Sequence, residues 1–258
     1  MCLILVAWRV HPRFPCVVAA NRDELHARPA APAAWWPDKP HILAGRDLDA
    51  GGTWLGMTRS GRFAALTNHR NPAAEPARSA DPPSRGSLVT RLLDSALPVA
   101  GGIDHLRGAG GAYRGFNLIF SDGVDLGIYE SVPGAGRALA PGIYGLSNHL
   151  LDTPWPKVRH AKSRLLAALA GPADDESLIA MLRDDQPAPD QELPDSGLER
   201  DWERLLSSAF VLSPDYGTRC STVLRIDADR RASFDEWTWD PAGNEVGRAS
   251  HRFDLGPA

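Results

Sequence analysis

The apolar residues of this 258-residue chain fall in short runs, and this spacing most strongly limits the folds that the chain can adopt. The runs Cys2–Trp8 and 16–20 have almost no polar interruption and are separated by a Pro-containing turn at residues 11–15. Short runs bounded by Gly or Pro are typical of strands, and the lack of polar alternation indicates burial on both faces. The sequence therefore predicts strands whose two faces are both covered by other layers of the fold.

Strands come first along the chain, helices cluster in the middle, and strands return. Further strands are predicted at residues 53–58, 62–67, 116–120, 126–129, 143–146, 222–226, 233–239 and 248–253. Helices are predicted at residues 84–97, 155–169, 176–182 and 198–207. This order differs from the strict alternation of strands and helices in a parallel sheet. It indicates an α+β fold in which helices cover two mainly antiparallel sheets.

Two segments rich in proline predict loops rather than elements. Residues 27–41, which contain Trp35 and Trp36, read as an irregular loop, and residues 71–83 hold four prolines and read as a surface loop.

Composition and charge exclude several classes of protein. The chain has 28 Lys plus Arg against 32 Asp plus Glu, without the basic excess of a nucleic-acid binder. It has no apolar segment of about 18 residues that would span a membrane. Its first charged residue, Arg9, follows the apolar run instead of preceding it as in a secretory signal. Three cysteines form no disulfide framework, which suits a cytoplasmic protein, and no metal-binding motif is present.

Cys2 is the residue whose position most suggests chemistry. Removal of Met1 would leave a thiol and a free α-amine on Cys2. The amine has a pKa of about 7.7–8.0 and can act as a general base for a thiol whose pKa is about 8.5. The alternative is that Cys2 is a small buried side chain at the start of a strand.

The tetrapeptide Asn21-Arg22-Asp23-Glu24 follows directly after the apolar run 16–20. A carboxylate there can orient an α-ammonium, and a guanidinium can lower a thiol pKa or hold a substrate oxygen. The alternative is a turn stabilised by local side-chain hydrogen bonds to the backbone.

These residues resemble the NRDE family, also called the transport and Golgi organisation protein 2 family, which is named for this tetrapeptide. Cys2 and the segment 19–24 carry the resemblance together with seven further segments in the same order. The latter are Gly-Thr-Trp-Leu-Gly at 52–56, Ala-Leu-Thr-Asn at 65–68, Ser-Arg-Gly at 84–86, Phe-Asn-Leu-Ile at 116–119, Tyr-Gly-Leu-Ser-Asn at 144–148, Thr-Pro-Trp-Pro-Lys at 153–157 and Tyr-Gly-Thr-Arg at 216–219. The resemblance covers nearly the whole chain.

The resemblance implies one domain over residues 1–258 with a four-layer αββα sandwich of the N-terminal-nucleophile (Ntn) hydrolase type. Distantly similar enzymes are choloylglycine hydrolase and penicillin V acylase, although their motif order is Arg-Asn-x-Asp. By this analogy Cys2 is the nucleophile, and Arg22 and Asp23 are site residues. Either Asn68 or Asn148 supplies an oxyanion donor. Arg219 corresponds to a later arginine of those enzymes.

Two functions of different classes follow from the resemblance. The first is a Cys-dependent hydrolase of amide or acyl bonds, which takes a small-molecule substrate and requires no cofactor. The second is a non-catalytic protein that binds and transports haem, lipid or acyl-CoA. The eight histidines include His149 beside Asn148, but their spacing selects no pair of iron ligands. The oligomeric state stays open. Trp237 and Trp239 share a face of one strand and belong either to the core or to a homodimer patch.

Overall fold

The computed structural model describes residues 2–70 and 82–256, and within them thirteen strands form two antiparallel sheets. The strands are β1 (Cys2–Trp8), β2 (Cys16–Leu25), β3 (Ala30–Trp36), β4 (Lys39–Asp47), β5 (Leu55–Thr58), β6 (Phe63–Asn68), β7 (Phe116–Ser121), β8 (Leu126–Glu130), β9 (Ala135–Leu139), β10 (Gly142–Leu146), β11 (Tyr216–Ile226), β12 (Arg231–Trp239) and β13 (Glu245–Asp254). The helices are α1 (Gly86–Leu93), α2 (Val99–Ala109), α3 (Pro156–Ala170), α4 (Asp175–Leu182) and α5 (Arg200–Leu205). Single 3-10 turns lie at Gly110–Ala112 and Asp190–Glu192.

The two sheets stack face to face and helices cover their outer faces. One sheet has the strand order β10-β1-β2-β11-β12-β13, and the other is a meander from β3 to β9. Ile4 and Val18 pack between the sheets against Leu55 and Met57. On the outer faces, α3 and α4 cover the first sheet, and α1 and α2 cover the second. The predicted αββα sandwich is therefore confirmed.

Strand β2 continues further than its apolar run predicts. Pairing with β1 and β11 extends it to Leu25, so the tetrapeptide 21–24 lies within the strand instead of after it. Alternation along the strand sends the Arg22 side chain towards the space between the sheets and the Asp23 side chain towards the helices. The register sets Arg22 directly between Cys2 on one side and Cys220 on the other.

Two predicted segments are wrong. The loop expected at 27–41 is the hairpin of β3 and β4, because Trp36 is buried and its Nε1 donates to Ala44 O at 3.0 Å. The helix expected at 84–97 ends at Leu93, and a second helix, α2, begins after Pro98. The glycines of α2 obscure this helix in the sequence. Gly102 is required by packing, because a Cβ there would lie 2.6 Å from the Phe120 ring.

Other predictions are confirmed. The helix expected at 155–169 is α3, with Pro156 in its first turn. Trp237 and Trp239 are buried in the apolar cluster between the first sheet and its helices and belong to the core rather than to a dimer patch. The loop expected at 71–83 lies, apart from its last two residues, outside the described residues. Within the described part of the chain, no helix is long and apolar enough to cross a membrane.

Two glycines allow α1 to begin in contact with the loop before β5. A Cβ on Gly52 would lie 2.7 Å from the carbonyl carbon of Gly86, and a Cβ on Gly86 would lie 3.0 Å from Thr53 O. Both clashes are with backbone, which cannot rotate away. The start of α1 is therefore fixed by backbone-to-backbone packing.

We expect Gly52→Ala to lower the free energy of unfolding by about 1–3 kcal/mol, because the added methyl forces α1 away from the loop. Urea titration measures the change. The control is Gly108→Ala in α2, where an added Cβ meets nothing within 4 Å. This control should be neutral or stabilise by up to about 1 kcal/mol, since alanine favours helix. Equal stability of Gly52→Ala and the wild type would contradict the packing argument.

Candidate functional site

A cavity of about 230 Å³ lies where β1, β2 and β11 of one sheet face β4 and β6 of the other. Its wall brings together five of the six predicted site residues, namely Cys2, Arg22, Asp23, Asn68 and Arg219. The sixth, Asn148, lies behind the wall. Carboxylates, arginines and two thiols surround the cavity, together with the partly buried Trp54.

Cys2 is held at the cavity wall through its backbone. Its backbone N–H donates to Asn148 Oδ1 at 3.3 Å, and its carbonyl oxygen accepts from Ser147 Oγ at 3.0 Å. Burial raises the pKa of the Cys2 thiol, and the neighbouring Asp23 adds to this rise. The resting group is therefore a thiol, and a base must deprotonate it before it can react as a nucleophile.

The two asparagines occupy different positions. Asn148 is buried, and its Nδ2 donates to the backbone oxygen of Asn68 at 2.8 Å. Its own backbone oxygen accepts from Arg70 N at 2.6 Å. The Asn68 side chain is exposed in the cavity wall. Asn148 thus joins Cys2 to the end of β6, while Asn68 lines the cavity.

Asp23 is buried beside β11. Its Oδ1 accepts from Thr218 Oγ1 at 2.7 Å, and its backbone oxygen accepts from Tyr216 Oη at 3.1 Å. Burial raises the pKa of the Asp23 carboxyl, and the Lys157 ammonium and the Thr218 hydroxyl oppose that rise. Asp23 is thus coupled electrostatically to a buried lysine on α3.

Lys157 is a site residue that sequence reasoning missed. It lies in the first turn of α3, is 4% exposed, and its Nζ has no hydrogen-bond partner among the described residues. Burial lowers the pKa of Lys157 to about 8, and the negative charge of Asp23 opposes that change. Its place in Thr-Pro-Trp-Pro-Lys was available in the sequence, but nothing there indicated that this lysine is buried.

A β-bulge gives Arg219 its position. Thr218 pairs with Asp23 and Cys220 pairs with Arg22, so Arg219 is the extra residue between them. Its Nη1 donates to the backbone oxygens of Leu25 and Arg28 at 2.8 and 2.9 Å. Burial lowers the pKa of Arg219, and the neighbouring Arg22 cation lowers it further.

Arg22 is buried but incompletely paired. Its Nη2 lies 3.6 Å from both Glu24 Oε2 and Asp47 Oδ2, which is longer than a hydrogen bond. Its Nη1 has no hydrogen-bond partner among the described residues. Asp47 itself accepts from Arg28 Nε at 2.7 Å, so its negative charge is shared.

A second thiol, Cys220, shares the wall with Cys2. The two cysteines pair with Arg22 from opposite sides, which sets their Cα atoms about 10 Å apart at two strand spacings. A disulfide requires at most about 6.8 Å, so this backbone does not allow one. Burial raises the pKa of the Cys220 thiol, and burial likewise raises the pKa of Glu236, which accepts from Ala33 N at 2.7 Å.

The histidines lie outside the cavity wall. His69 and His149 follow the two asparagines, and their rings are tilted by 35° with 5.2 Å between centroids. His149 Nδ1 is hydrogen-bonded to Thr153 Oγ1 at 2.9 Å. Among residues 2–70 and 82–256, Cys2 and Cys220 are the wall side chains of a type that ligates haem iron.

Comparison with known proteins identifies the family of the chain and supports its fold. The model of the family described as Transport and Golgi organisation 2 matches residues 1–241. The Transport and Golgi organization protein 2 homolog of Bos taurus is 36% identical and the alignment covers 99% of both chains. The homolog of Homo sapiens is also 36% identical, over 92% of both chains. The C2A mutant of conjugated bile acid hydrolase from Clostridium perfringens superposes with a TM-score of 0.52 at 8% identity, over 100% of this chain and 98% of that one. This last likeness shows the fold.

Lys157 predicts a pH dependence of stability. Its pKa in the folded chain, about 8, is below the usual 10.5. Below pH 8 both states are protonated and the folded state carries the cost of the buried ammonium. Between pH 8 and 10.5 the unfolded state binds more protons, so stability rises with pH. We expect the wild type to gain about 1–3 kcal/mol relative to Lys157→Met across this window.

Urea unfolding at several pH values measures the difference. Lys162→Met removes a half-buried lysine of the same helix that is paired with Asp152, and it should keep the wild-type dependence. The same pH dependence of the free energy of unfolding in the wild type and in Lys157→Met would contradict the lowered pKa of Lys157.

Proposed function

This chain belongs to the transport and Golgi organisation 2 family, and on that premise we propose that it is a hydrolase of amide or acyl bonds with the Cys2 thiol as nucleophile. One observation carries the proposal. The backbone nitrogen of Cys2, which becomes the α-amine once Met1 is removed, is held 3.3 Å from Asn148 Oδ1, while Cys2 itself lines the cavity. Amine and thiol therefore belong to one fixed residue.

The reaction proceeds in two balanced halves. The neutral α-amine takes the proton of the Cys2 thiol, and the thiolate attacks the carbonyl carbon of the substrate. The C–N bond breaks as the ammonium returns its proton to the leaving nitrogen, and a thioester remains on Cys2. Water, deprotonated by the same amine, then attacks the thioester and releases the acid and the thiol.

The two asparagines take separate roles in this mechanism. The Asn68 amide, exposed to the cavity, donates to the oxyanion that forms on the carbonyl oxygen. One such donor is worth about 2.7–4 kcal/mol of the barrier. Asn148 is a positioning residue, because its Oδ1 accepts from the nitrogen of Cys2 and fixes the direction of the amine lone pair.

The buried charges support the same steps. Asp23 stabilises the α-ammonium when it forms, and Thr218 holds the carboxylate in place. Lys157 keeps Asp23 from carrying an uncompensated charge in the resting protein. Arg22 and Arg219, which both lie on the six-stranded sheet, bind the substrate. The β-bulge places Arg219 in the cavity wall.

The experiment is turnover of a panel of N-acyl amides and acyl thioesters by protein with a native amino terminus. We expect Cys2→Ala to lower kcat by at least about 10³-fold, because the reaction has lost its nucleophile. Cys220→Ser alters the other thiol of the wall and should keep most of the turnover. Equal turnover by Cys2→Ala and the wild type would refute the mechanism.

The same variants distinguish a carrier from an enzyme. A haem or lipid carrier on this fold would bind its ligand saturably with no turnover of any substrate. Binding would then survive in Cys2→Ala unless the thiol itself ligates the iron. Saturable haem or acyl binding together with an inert wild type would replace the hydrolase by the carrier.

The separation of the asparagine roles gives a further prediction. Asn68→Ala should lower kcat by about 10²–10³-fold and leave the pH profile of kcat/KM in place, since it removes only an oxyanion donor. Asn148→Ala should move the acidic limb of that profile, on which the amine loses its proton, because the amine loses its acceptor. Steady-state kinetics across pH 6–9 measures both. Identical pH profiles of kcat/KM for Asn68→Ala and Asn148→Ala would contradict the separate roles of the two asparagines.

A further inference from the structure

On the side of β10, the first residue of β1 is held by side chains instead of by a strand. Backbone pairing between the two strands ends at Ile4 and Leu146. The same register, continued by two residues, sets Asn148 opposite Cys2, and there Asn148 Oδ1 accepts from Cys2 N at 3.3 Å. Ser147 Oγ donates to the carbonyl oxygen of Cys2 at 3.0 Å. Two neighbouring side chains therefore fix both polar groups of the Cys2 backbone.

The amide of Asn148 has one allowed orientation. Its Nδ2 donates to Asn68 O at 2.8 Å, and the residue is 2% exposed. Its backbone oxygen accepts from Arg70 N at 2.6 Å, which holds the main chain as well. A flipped amide would set donor against donor at Cys2 and acceptor against acceptor at Asn68, and both buried mismatches are costly. The nitrogen of Cys2 therefore always meets an acceptor on this side.

A thioester on Cys2 has a competing reaction with the amine of the same residue. The nitrogen, Cα, Cβ, the sulfur and the acyl carbon close a five-membered ring, so the amine can attack the thioester carbonyl. The N–C bond forms, the C–S bond breaks, and a proton of the amine moves to the sulfur. The product is an amide that water does not cleave under these conditions. Groups joined in this way reach effective concentrations of about 10⁵–10⁸ M when they are well oriented. Hydrolysis therefore requires that the amine is badly oriented for attack.

The hydrogen bond to Asn148 provides this restraint. Cys2 lines the cavity, whereas Asn148 lies behind its wall, so the bond draws the nitrogen away from an acyl group in the cavity. Attack would bring the nitrogen to bonding distance of the acyl carbon, and the amine would first have to leave Asn148 Oδ1. General-base catalysis needs no such movement, because a proton passes between atoms that stay at hydrogen-bond distance. The same contact thus allows one reaction of the amine and opposes the other.

We infer that Asn148 determines the fate of the acyl group, because it keeps the group on the sulfur of Cys2 until water removes it. This inference rests on the proposed function for the formation of the thioester. It adds that Asn148 is a positioning residue for the outcome of the reaction as well as for its rate. Loss of Asn148 should convert the protein into a self-acylated form with an amide at its amino terminus.

The test uses phenyl thioacetate as the acyl donor and the whole chain prepared so that it begins at Cys2. Samples are quenched in acid, and hydroxylamine then distinguishes a thioester, which it cleaves, from an amide, which it leaves in place. Peptide mass locates the acetyl group. The measured quantity is the rate constant for conversion of thioester to amide, which is amide formed per unit time divided by thioester present. It does not depend on how fast the thioester forms or hydrolyses.

Two variants separate the restraint on the amine from a general loosening of the strand. We expect Asn148→Ala to raise this rate constant by at least about tenfold, the size of one lost hydrogen bond. Ser147→Ala is the matched control, because it releases the carbonyl oxygen of Cys2 and leaves the acceptor of the amine in place. It should change the rate constant less than about threefold, which is below the effect of a typical hydrogen bond. Equal rate constants in the wild type and Asn148→Ala, or equal increases in both variants, would overturn the inference.

Unfolding of the wild type gives a second measurement that needs no variant. A peptide of residues 2–8 supplies the rate constant of an unrestrained amine. Acetylated wild type should keep its thioester while folded, and transfer to urea at pH 7 should convert it to the amide at the rate of the peptide. Conversion at the peptide rate in the folded protein would overturn the inference. A folded thioester that persists but releases no acetate would refute the proposed hydrolase and keep this role of Asn148. Absence of any acetyl group on Cys2 would overturn both.

Discussion

The pairing of β2 with strands on both sides is the constraint on which the rest of the site depends. β1 and β11 continue their hydrogen bonds past Ala20, so a polar tetrapeptide is held as rigid strand within the six-stranded sheet. The alternation of the strand then directs the Arg22 side chain towards the space between the sheets and the Asp23 side chain towards the helices, although both residues line the cavity. One short segment thereby serves two layers of the fold. Cys2 is thereby paired in register with Arg22, and its thiol is influenced by the charge of Asp23.

Burying this polar cluster is costly, and the structure offsets the cost by pairing. Asp23 accepts from Thr218, Asn148 links Cys2 to Asn68, and Asp47 shares its charge between two arginines. The pairing is incomplete at Arg22 and Lys157, whose terminal nitrogens lack partners among the described residues. Incomplete pairing of buried charge is characteristic of sites that bind or transform a ligand. The site therefore combines strands in fixed positions with hydrogen-bond donors, on Arg22 and Lys157, that have no partner among the described residues.

Local patterns in the sequence predict two buried antiparallel sheets with helices outside, whereas the four-layer sandwich and the candidate site residues follow from the family resemblance. Short apolar runs identified the buried strands, while Cys2, Arg22 and Asp23 were selected by the resemblance of the whole chain to a family. The prolines and alanines of the segment obscured the hairpin of β3 and β4. The hairpin is stabilised by the burial of Trp36 at the end of β3. Lys157 could not be found, since its importance comes from the tertiary packing of α3 against β1 and β10, which brings its ammonium under the influence of Asp23. The roles of Asn68 and Asn148 likewise depend on which side chain reaches the cavity.

The most direct measurement is the intact mass of the protein expressed with its native, untagged amino terminus. The account requires that Cys2 carries the α-amine that deprotonates its own thiol. It therefore predicts a mass that is lower by one methionine than that of the translated chain. A mass that retains Met1 would leave Cys2 without this base, and the N-terminal-nucleophile mechanism would be wrong for this protein.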